Sequence, residues 1–153
     1  MGDANRPRHI GKQTEGRSSE VASGCLNLSG TGRAKLTGEI IGGAIDVHRA
    51  LGPGLLESAY EECLCYELQL RGLPFTRQRS LPLDYKGVKL DCSYRVDVVV
   101  ANEVLMEIKA VSAIDPIHEA QLLTYMKLGH WNLGLLINFN VAFLRTGIRR
   151  MIL

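Results

Sequence analysis

The sequence lacks any apolar run long enough to cross a bilayer, and its first twenty residues lack the apolar core of a secretory signal. It also has little net charge, since 18 basic and 16 acidic side chains give +2 at pH 7. This balance does not indicate a generic binder of polyanions, so any contact with nucleic acid is expected to use a local patch. Together these absences favour a cytoplasmic globular protein.

Cysteine is scarce, and its placement excludes the common zinc patterns. The four cysteines stand at positions 25, 63, 65 and 92, with no paired Cys-x-x-Cys spacing. Reduced cysteines in a cytosolic protein are therefore expected, with no disulfide framework.

The chain divides into two parts by composition. Residues 1–35 are rich in Gly, Ser and Arg, lack hydrophobic periodicity and carry six basic against three acidic side chains. We expect this segment to be disordered or weakly ordered, and residues 36–153 to form the folded domain. Thr37 is a plausible N-cap for a first helix that runs from Gly38 to about Leu51.

The remaining periodicity predicts an α/β fold. A Gly-Pro-Gly break precedes a second helix, from about Leu56 to Arg71. Strands are then predicted near 75–85, 88–91, 94–101 and 103–111. Asp115 and Pro116 begin a helix that reaches about Leu128, and strands are predicted at 133–139 and at the end of the chain. This order indicates a mixed central sheet flanked by helices.

The stretch YRVDVVVANEVLMEIKAV, residues 94–111, carries charges inside two apolar strands. A buried charge is costly unless it is paired, hydrogen-bonded or bound to a metal. Strand alternation places Glu107 and Lys109 on one face, and a suitable hairpin register would bring Asp97 beside Glu107. Two close carboxylates repel each other, and a Mg²⁺ ion relieves that repulsion with carboxylate, carbonyl and water ligands. The carbonyl of Ile108 would be a further ligand.

In such a site Lys109 would orient or deprotonate the attacking water. The alternative is that Asp97 and Glu107 pair with Arg95 and Lys109 on a solvated sheet face. The hairpin alone does not decide between these readings.

Two helical stretches carry further candidate side chains. Glu57 falls in the first turn of the second helix, where the helix dipole favours a carboxylate in any protein. Tyr60 shares its face and is more typical of a core residue. On the third helix, Gln121 and Tyr125 lie one turn apart, with His118 on the same face, and each also fits the ordinary surface of an amphipathic helix.

With these motifs in order, the chain resembles the GxxExxY protein family over about residues 37–150. The residues that carry the resemblance are GLLESAY at 54–60, which is G-x-x-E-x-x-Y as it stands, YRVDVVV, EIKAV, HEAQLLTYMKL and LGLLINFNV. That family resembles the PD-(D/E)XK nuclease superfamily. The resemblance implies an αβββαβ core with a metal site on its central strands.

The resemblance also implies roles for individual residues. Asp97 matches the motif aspartate, Glu107 and Lys109 match the E-x-K, and Glu57 matches the helical carboxylate of the metal environment. Gln121 and Tyr125 match the Q-x-x-x-Y helix motif of the RecB-like branch, where they would position the strand or brace the ligands. The iron–sulfur cluster of some relatives in that branch needs cysteines near the C-terminus, and none follows Cys92, so no cluster is expected.

The sequence therefore predicts a Mg²⁺- or Mn²⁺-dependent nuclease, with DNA favoured over RNA. Further substrate contacts are expected from Arg95, His48, Arg49 or the basic N-terminal segment. The rival prediction is a nuclease-fold subunit that binds nucleic acid or assembles with other proteins and has little activity of its own. A third is a phosphoesterase for small molecules. Since the domain is small, a homodimer or a partner protein is expected to supply specificity.

Overall fold

The computed structural model describes residues 29–153, apart from the side chains of residues 91–93. The elements are α1 (Gly30–Leu51), α2 (Glu57–Leu70), β1 (Phe75–Tyr85), β2 (Val88–Val100), β3 (Val104–Lys109), α3 (Pro116–Gly129), β4 (Leu133–Asn138), a short 3₁₀ helix (Leu144–Gly147) and β5 (Ile148–Ile152). None of the helices in this part of the chain is long and apolar enough to span a membrane.

The five strands form one mixed sheet in the order β1-β2-β3-β4-β5. Neighbouring strands are antiparallel except β3 and β4, which are parallel because α3 carries the chain back across the sheet between them. Both central strands are buried along nearly their whole length, which explains their continuous apolar sequences. The α/β fold class predicted from the sequence is confirmed.

Helices cover both faces of the sheet and divide the core in two. On one face, α1 and α2 pack through Ile40, Tyr60 and Leu64 against Val98 and Met106 of the sheet. On the other face, the core is formed by α3 and the opposite sides of the same strands, with members Val99, Leu105, Leu122, Met126 and Leu136. Gly134 lets α3 approach closely, because a Cβ there would lie 2.5 Å from the Met126 sulfur.

The first helix begins earlier than predicted. It starts at Gly30, so the assignment of Thr37 as its N-cap is wrong. Thr37 is buried inside the helix, and its hydroxyl donates to the Arg33 carbonyl at 2.7 Å. The extra turns are held by tertiary contacts that local sequence does not reveal, among them the Arg33–Glu103 ion pair at 3.2 Å. The rest of the segment predicted to be weakly ordered, residues 1–28, lies outside the described residues.

The other boundaries need one correction. The strands predicted at 88–91 and 94–101 are a single strand, β2, which pairs with β1 along almost its whole length. The third helix follows the prediction closely, with Asp115 and His118 forming a capping box and His130 adopting the left-handed conformation that ends the helix.

Candidate active site where β2 and β3 separate

The pairing of β2 with β3 stops at the charged residues. The ladder runs from Val100–Val104 to Val98–Met106, so Asp97 and Glu107 are the next residues beyond its last pair. There the Asp97 Oδ2 accepts a hydrogen bond from the backbone N–H of Ile108 at 2.8 Å. The carboxylate thus pairs with the Ile108 N–H, which lies beyond the last backbone pair between β2 and β3.

The backbone around Asp97 is irregular on both of its strands. Gln78 of β1 lies opposite Asp97 and has a φ of 49°, in the left-handed region. On β2, Val96 and Val98 pack on opposite faces of the sheet, although residues two apart on a regular strand share a face. This local break turns Asp97 toward the end of β3.

Glu107 is buried beside Lys109 and is only partly satisfied. Its Oε1 accepts a hydrogen bond from the Lys109 ammonium at 2.9 Å, with the two side chains 4% and 13% exposed. Its Oε2 is the one buried side-chain oxygen or nitrogen among the described residues that has no hydrogen-bond partner. Native proteins rarely leave such an atom unpaired, so this oxygen is available to bind a cation or a water molecule.

Asp97, Glu107 and Lys109 form one charged group, because the Lys109 charge acts on the pKa of both carboxyls and each carboxylate acts on the pKa of Lys109. Burial, and then the charge of Asp97, raise the pKa of Glu107 to about 7. Burial also raises the pKa of Asp97, although the Ile108 hydrogen bond opposes the change. For Lys109 burial acts to lower the pKa, but the Glu107 hydrogen bond and the surrounding carboxylates raise it overall, so the ammonium form is favoured.

The Ile108 carbonyl lies on the same side of β3 as Asp97. Lys109 directs its own carbonyl toward β4, where it accepts from the Phe139 N–H at 2.8 Å. In a strand, the N–H and C=O of one residue point to the same edge, and those of the next residue point to the opposite edge. The N–H and C=O of Ile108 therefore point away from β4. This agrees with the predicted use of its carbonyl as a metal ligand.

Glu57 reaches the same end of the sheet from α2. Its Oε1 accepts from the backbone N–H of Ala110, just after β3, at 3.1 Å, and the residue is otherwise exposed. Tyr60 is structural, as its sequence context favours. Its hydroxyl donates to the Gly52 carbonyl at 2.6 Å, and its ring stacks on Phe139 at 4.5 Å between centroids.

Gln121 and Tyr125 are joined to each other. The Gln121 amide donates to the Tyr125 hydroxyl at 2.7 Å, and the Tyr125 ring packs against Tyr94 of β2. In the described residues neither side chain makes a hydrogen bond to Asp97, Glu107 or Lys109. The two therefore lie on the α3 face of the sheet, where they hydrogen-bond to each other.

The remaining candidates from the sequence have other contacts or face solvent. His118 serves as a cap, since its Nδ1 accepts from the Asp115 N–H at 3.1 Å. His48 is buried, with its Nε2 2.8 Å from the Val141 carbonyl oxygen. Arg49 and Arg95 are exposed.

The structure adds Glu61, which the sequence analysis did not select. This buried carboxylate accepts hydrogen bonds from Arg77 at 3.0 Å and from the Gln78 amide at 2.7 Å, and so holds the irregular residue opposite Asp97. Its charge contributes to the raised pKa of Asp97. The available signal was its position one helical turn after Glu57.

Asn138 is a second residue that the sequence analysis missed. Its buried amide bonds both backbone groups of Val111, accepting from the N–H at 3.1 Å and donating to the carbonyl at 2.9 Å. It also accepts from the Asn140 N–H at 3.2 Å. Asn138 thereby fixes the loop after β3 to the end of β4, next to the charged group.

The donor set suits a hard divalent cation. Within residues 29–153, no three Asp, Glu, His or Cys side chains are already arranged as a metal cluster. Mg²⁺, however, needs only one or two carboxylates and completes its shell with water or phosphate oxygens. Asp97, the unpaired oxygen of Glu107 and the Ile108 carbonyl provide such a set, with Glu57 nearby for a direct or water-mediated contact.

Comparison with known proteins agrees with this architecture. The family model described as the PD-(D/E)XK nuclease superfamily matches residues 34–151. No curated protein matched the chain, and no solved structure did. The match covers most of the chain and includes every residue of the charged group, so the chain belongs to the PD-(D/E)XK nuclease superfamily.

Proposed function

We propose that the protein is a Mg²⁺- or Mn²⁺-dependent nuclease that hydrolyses phosphodiester bonds of nucleic acid, with DNA as the favoured substrate. The observation that carries the proposal is the buried, unpaired Oε2 of Glu107, next to Asp97 and Lys109. Membership in the superfamily supports a nuclease-type function. Assignment to the GxxExxY family and a cytoplasmic location remain predictions.

In this proposal Asp97, Glu107 and the Ile108 carbonyl hold the metal ion, with Glu57 bound directly or through water. The bound ion would lower the pKa of a ligated water and stabilise charge on the phosphate. Lys109 orients the attacking water, because its ammonium is held against Glu107 and points into the group. Gln121 and Tyr125 position the substrate strand or brace the ligands.

A cleavage assay tests the proposal directly. Labelled single- and double-stranded DNA and RNA would be incubated with Mg²⁺, Mn²⁺ or EDTA. We expect metal-dependent cleavage that falls by about 100-fold or more in Lys109→Ala, since the loss of a group that positions the reacting water can cost that much. Asp97→Asn should also lose cleavage. The asparagine keeps one side-chain oxygen that can accept the hydrogen bond from the Ile108 N–H, so the fold should be preserved.

Two controls make the result specific. Lys127→Ala removes an exposed lysine from α3 and should keep full activity. Circular dichroism should show that every variant is folded. Unchanged cleavage by folded Lys109→Ala would contradict the mechanism.

The rival function is a nuclease-fold subunit that binds nucleic acid or assembles with a partner. Absence of cleavage from a folded, metal-binding protein would favour it. Hydrolysis of a nucleotide or a simple diester without cleavage of any polymer would instead indicate a small-molecule phosphoesterase. Sedimentation would show whether a homodimer or a partner protein is needed.

A further inference from the structure

A cleft with basic and aromatic walls lies at the same end of the sheet as the charged group. It has a volume of about 410 Å³ and lies between the C-terminal end of α1 with the following loop and the segment that precedes β5. Arg49, Gly52, Phe143 and Arg145 are among the residues that line it. No acidic side chain is among the described residues that line it.

Both walls of the cleft are connected to elements of the candidate active site. One wall includes Gly52, whose carbonyl accepts from the Tyr60 hydroxyl on α2, three residues after Glu57. The other wall follows directly from the end of β4, where Phe139 donates to the Lys109 carbonyl. The cleft is therefore an extension of the same end of the sheet.

The two walls are also fixed to each other. The buried His48 ring on α1 lies 2.8 Å from the Val141 carbonyl oxygen, and the same ring packs near Phe139. The cleft is thus a preformed feature of the fold, which lowers the ordering cost of binding.

The side chains at its rim suit a nucleotide. Phe143 is 76% exposed, which leaves a large aromatic face in solvent beside the cleft. The Arg49 side chain is 77% exposed, and its one ion pair among the described residues, with Asp46 at 3.6 Å, is a weak surface contact. Arg145 is exposed on the opposite wall. An aromatic side chain and two arginines that line one cleft match a base and its neighbouring phosphates.

We propose that this cleft binds an unpaired nucleotide of single-stranded DNA or RNA, with the base stacked on Phe143 and its phosphates held by Arg49 and Arg145. The inference deepens the proposed nuclease function and rests on it, because it names the form of nucleic acid that reaches the charged group. Duplex is disfavoured here, since the base faces of a duplex are already stacked on their neighbours and cannot cover Phe143.

The test is a binding measurement in which cleavage is absent. Fluorescence anisotropy would follow labelled single-stranded DNA, single-stranded RNA and duplex DNA of about 15 nucleotides in EDTA. We expect both single strands to bind more tightly than duplex. Phe143→Ala should weaken single-strand binding by roughly tenfold, and Phe143→Trp should retain it.

Charge variants test the phosphate contacts separately. The double variant of Arg49→Ala and Arg145→Ala should bind more weakly and reduce the slope of log affinity against log salt by about 1.4, or about 0.7 for each lost phosphate contact on a single strand. Leu70→Ala, at an exposed site on α2, and Arg150→Ala, at an exposed site on β5, are matched controls and should bind as the wild type does.

The outcomes separate this inference from the nuclease proposal. Wild-type affinity in Phe143→Ala, equal affinity of the wild type for duplex and single strands, or no binding of any oligonucleotide would overturn the cleft assignment. Failure of the nuclease proposal would appear instead in the cleavage assay, as a folded wild type without metal-dependent hydrolysis. A protein that cleaves but binds independently of Phe143 would therefore refute only the cleft.

Discussion

Replacing Glu107 by Gln should stabilise the metal-free protein at alkaline pH. The carboxyl is buried, and burial together with the Asp97 charge raises its pKa from an ordinary value of 4.5 to about 7. Between these two values the folded state holds a proton that the unfolded state has lost. Because the folded state then binds more protons, stability falls as pH rises through this window. The difference between the two pKa values corresponds to about 3 kcal/mol of folding stability.

Urea unfolding in EDTA at pH 5 and at pH 8 would measure this effect. We expect the wild type to lose about 2.5 kcal/mol more than Glu107→Gln between the two pH values, since pH 5 already lies above the unfolded-state pKa. The glutamine can still accept a hydrogen bond from Lys109 and has the shape of the glutamate. Part of the loss of stability with pH should persist in Glu107→Gln, because the pKa of Asp97 is raised as well.

An exposed glutamate provides the matched control. Glu62 accepts a hydrogen bond from Arg77, which lowers the pKa of Glu62. Glu62→Gln should therefore retain the loss of stability between pH 5 and pH 8. An equal pH dependence in the wild type and in Glu107→Gln would refute the reasoning, and so would a wild type that becomes more stable from pH 5 to pH 8.

Three further substitutions test the parts of the fold that position the charged group. Gly134→Ala should destabilise by about 1–3 kcal/mol in urea unfolding, since its Cβ would meet a methionine sulfur of α3. Gly38→Ala, whose Cβ meets nothing within 4 Å on α1, should instead stabilise by about 0.5–1 kcal/mol. Arg77→Ala should cost about 3 kcal/mol by urea unfolding, because the buried Glu61 carboxylate keeps only a neutral partner. Asn138→Ala should cost about 2 kcal/mol by thermal unfolding and reduce metal-dependent cleavage, as it leaves both backbone groups of the partly buried Val111 unpaired near the site.

Local signals were sufficient for most of the fold. The Asp115-Pro116 start of α3 and the apolar run of β4 follow from short-range patterns that depend on neighbouring residues alone. The start of α1 could not be found in this way, because the turns before Thr37 are held by contacts such as Arg33 with Glu103, 70 residues away. Likewise, β2 joins the two predicted strands because β1 pairs with it on both sides of a register shift between Pro82 and Leu83.

The composition of the candidate site was also predictable, but its geometry was not. The types and order of Glu57, Asp97, Glu107 and Lys109 are in the sequence, where they form the resemblance to the nuclease family. Their meeting depends on the register of β2 with β3 and on the broken alternation at Asp97, neither of which a local pattern specifies.

By itself, the sequence determined the α/β class and the chemical identity of the charged group, because hydrophobic period and residue type are local properties. The tertiary structure alone decided that Glu107 is buried with an unpaired oxygen, that Glu61 supports the strand opposite Asp97, and that Phe143 and Arg49 share a cleft. Burial, pKa and proximity are set by segments distant in the chain, and only folding brings those segments together.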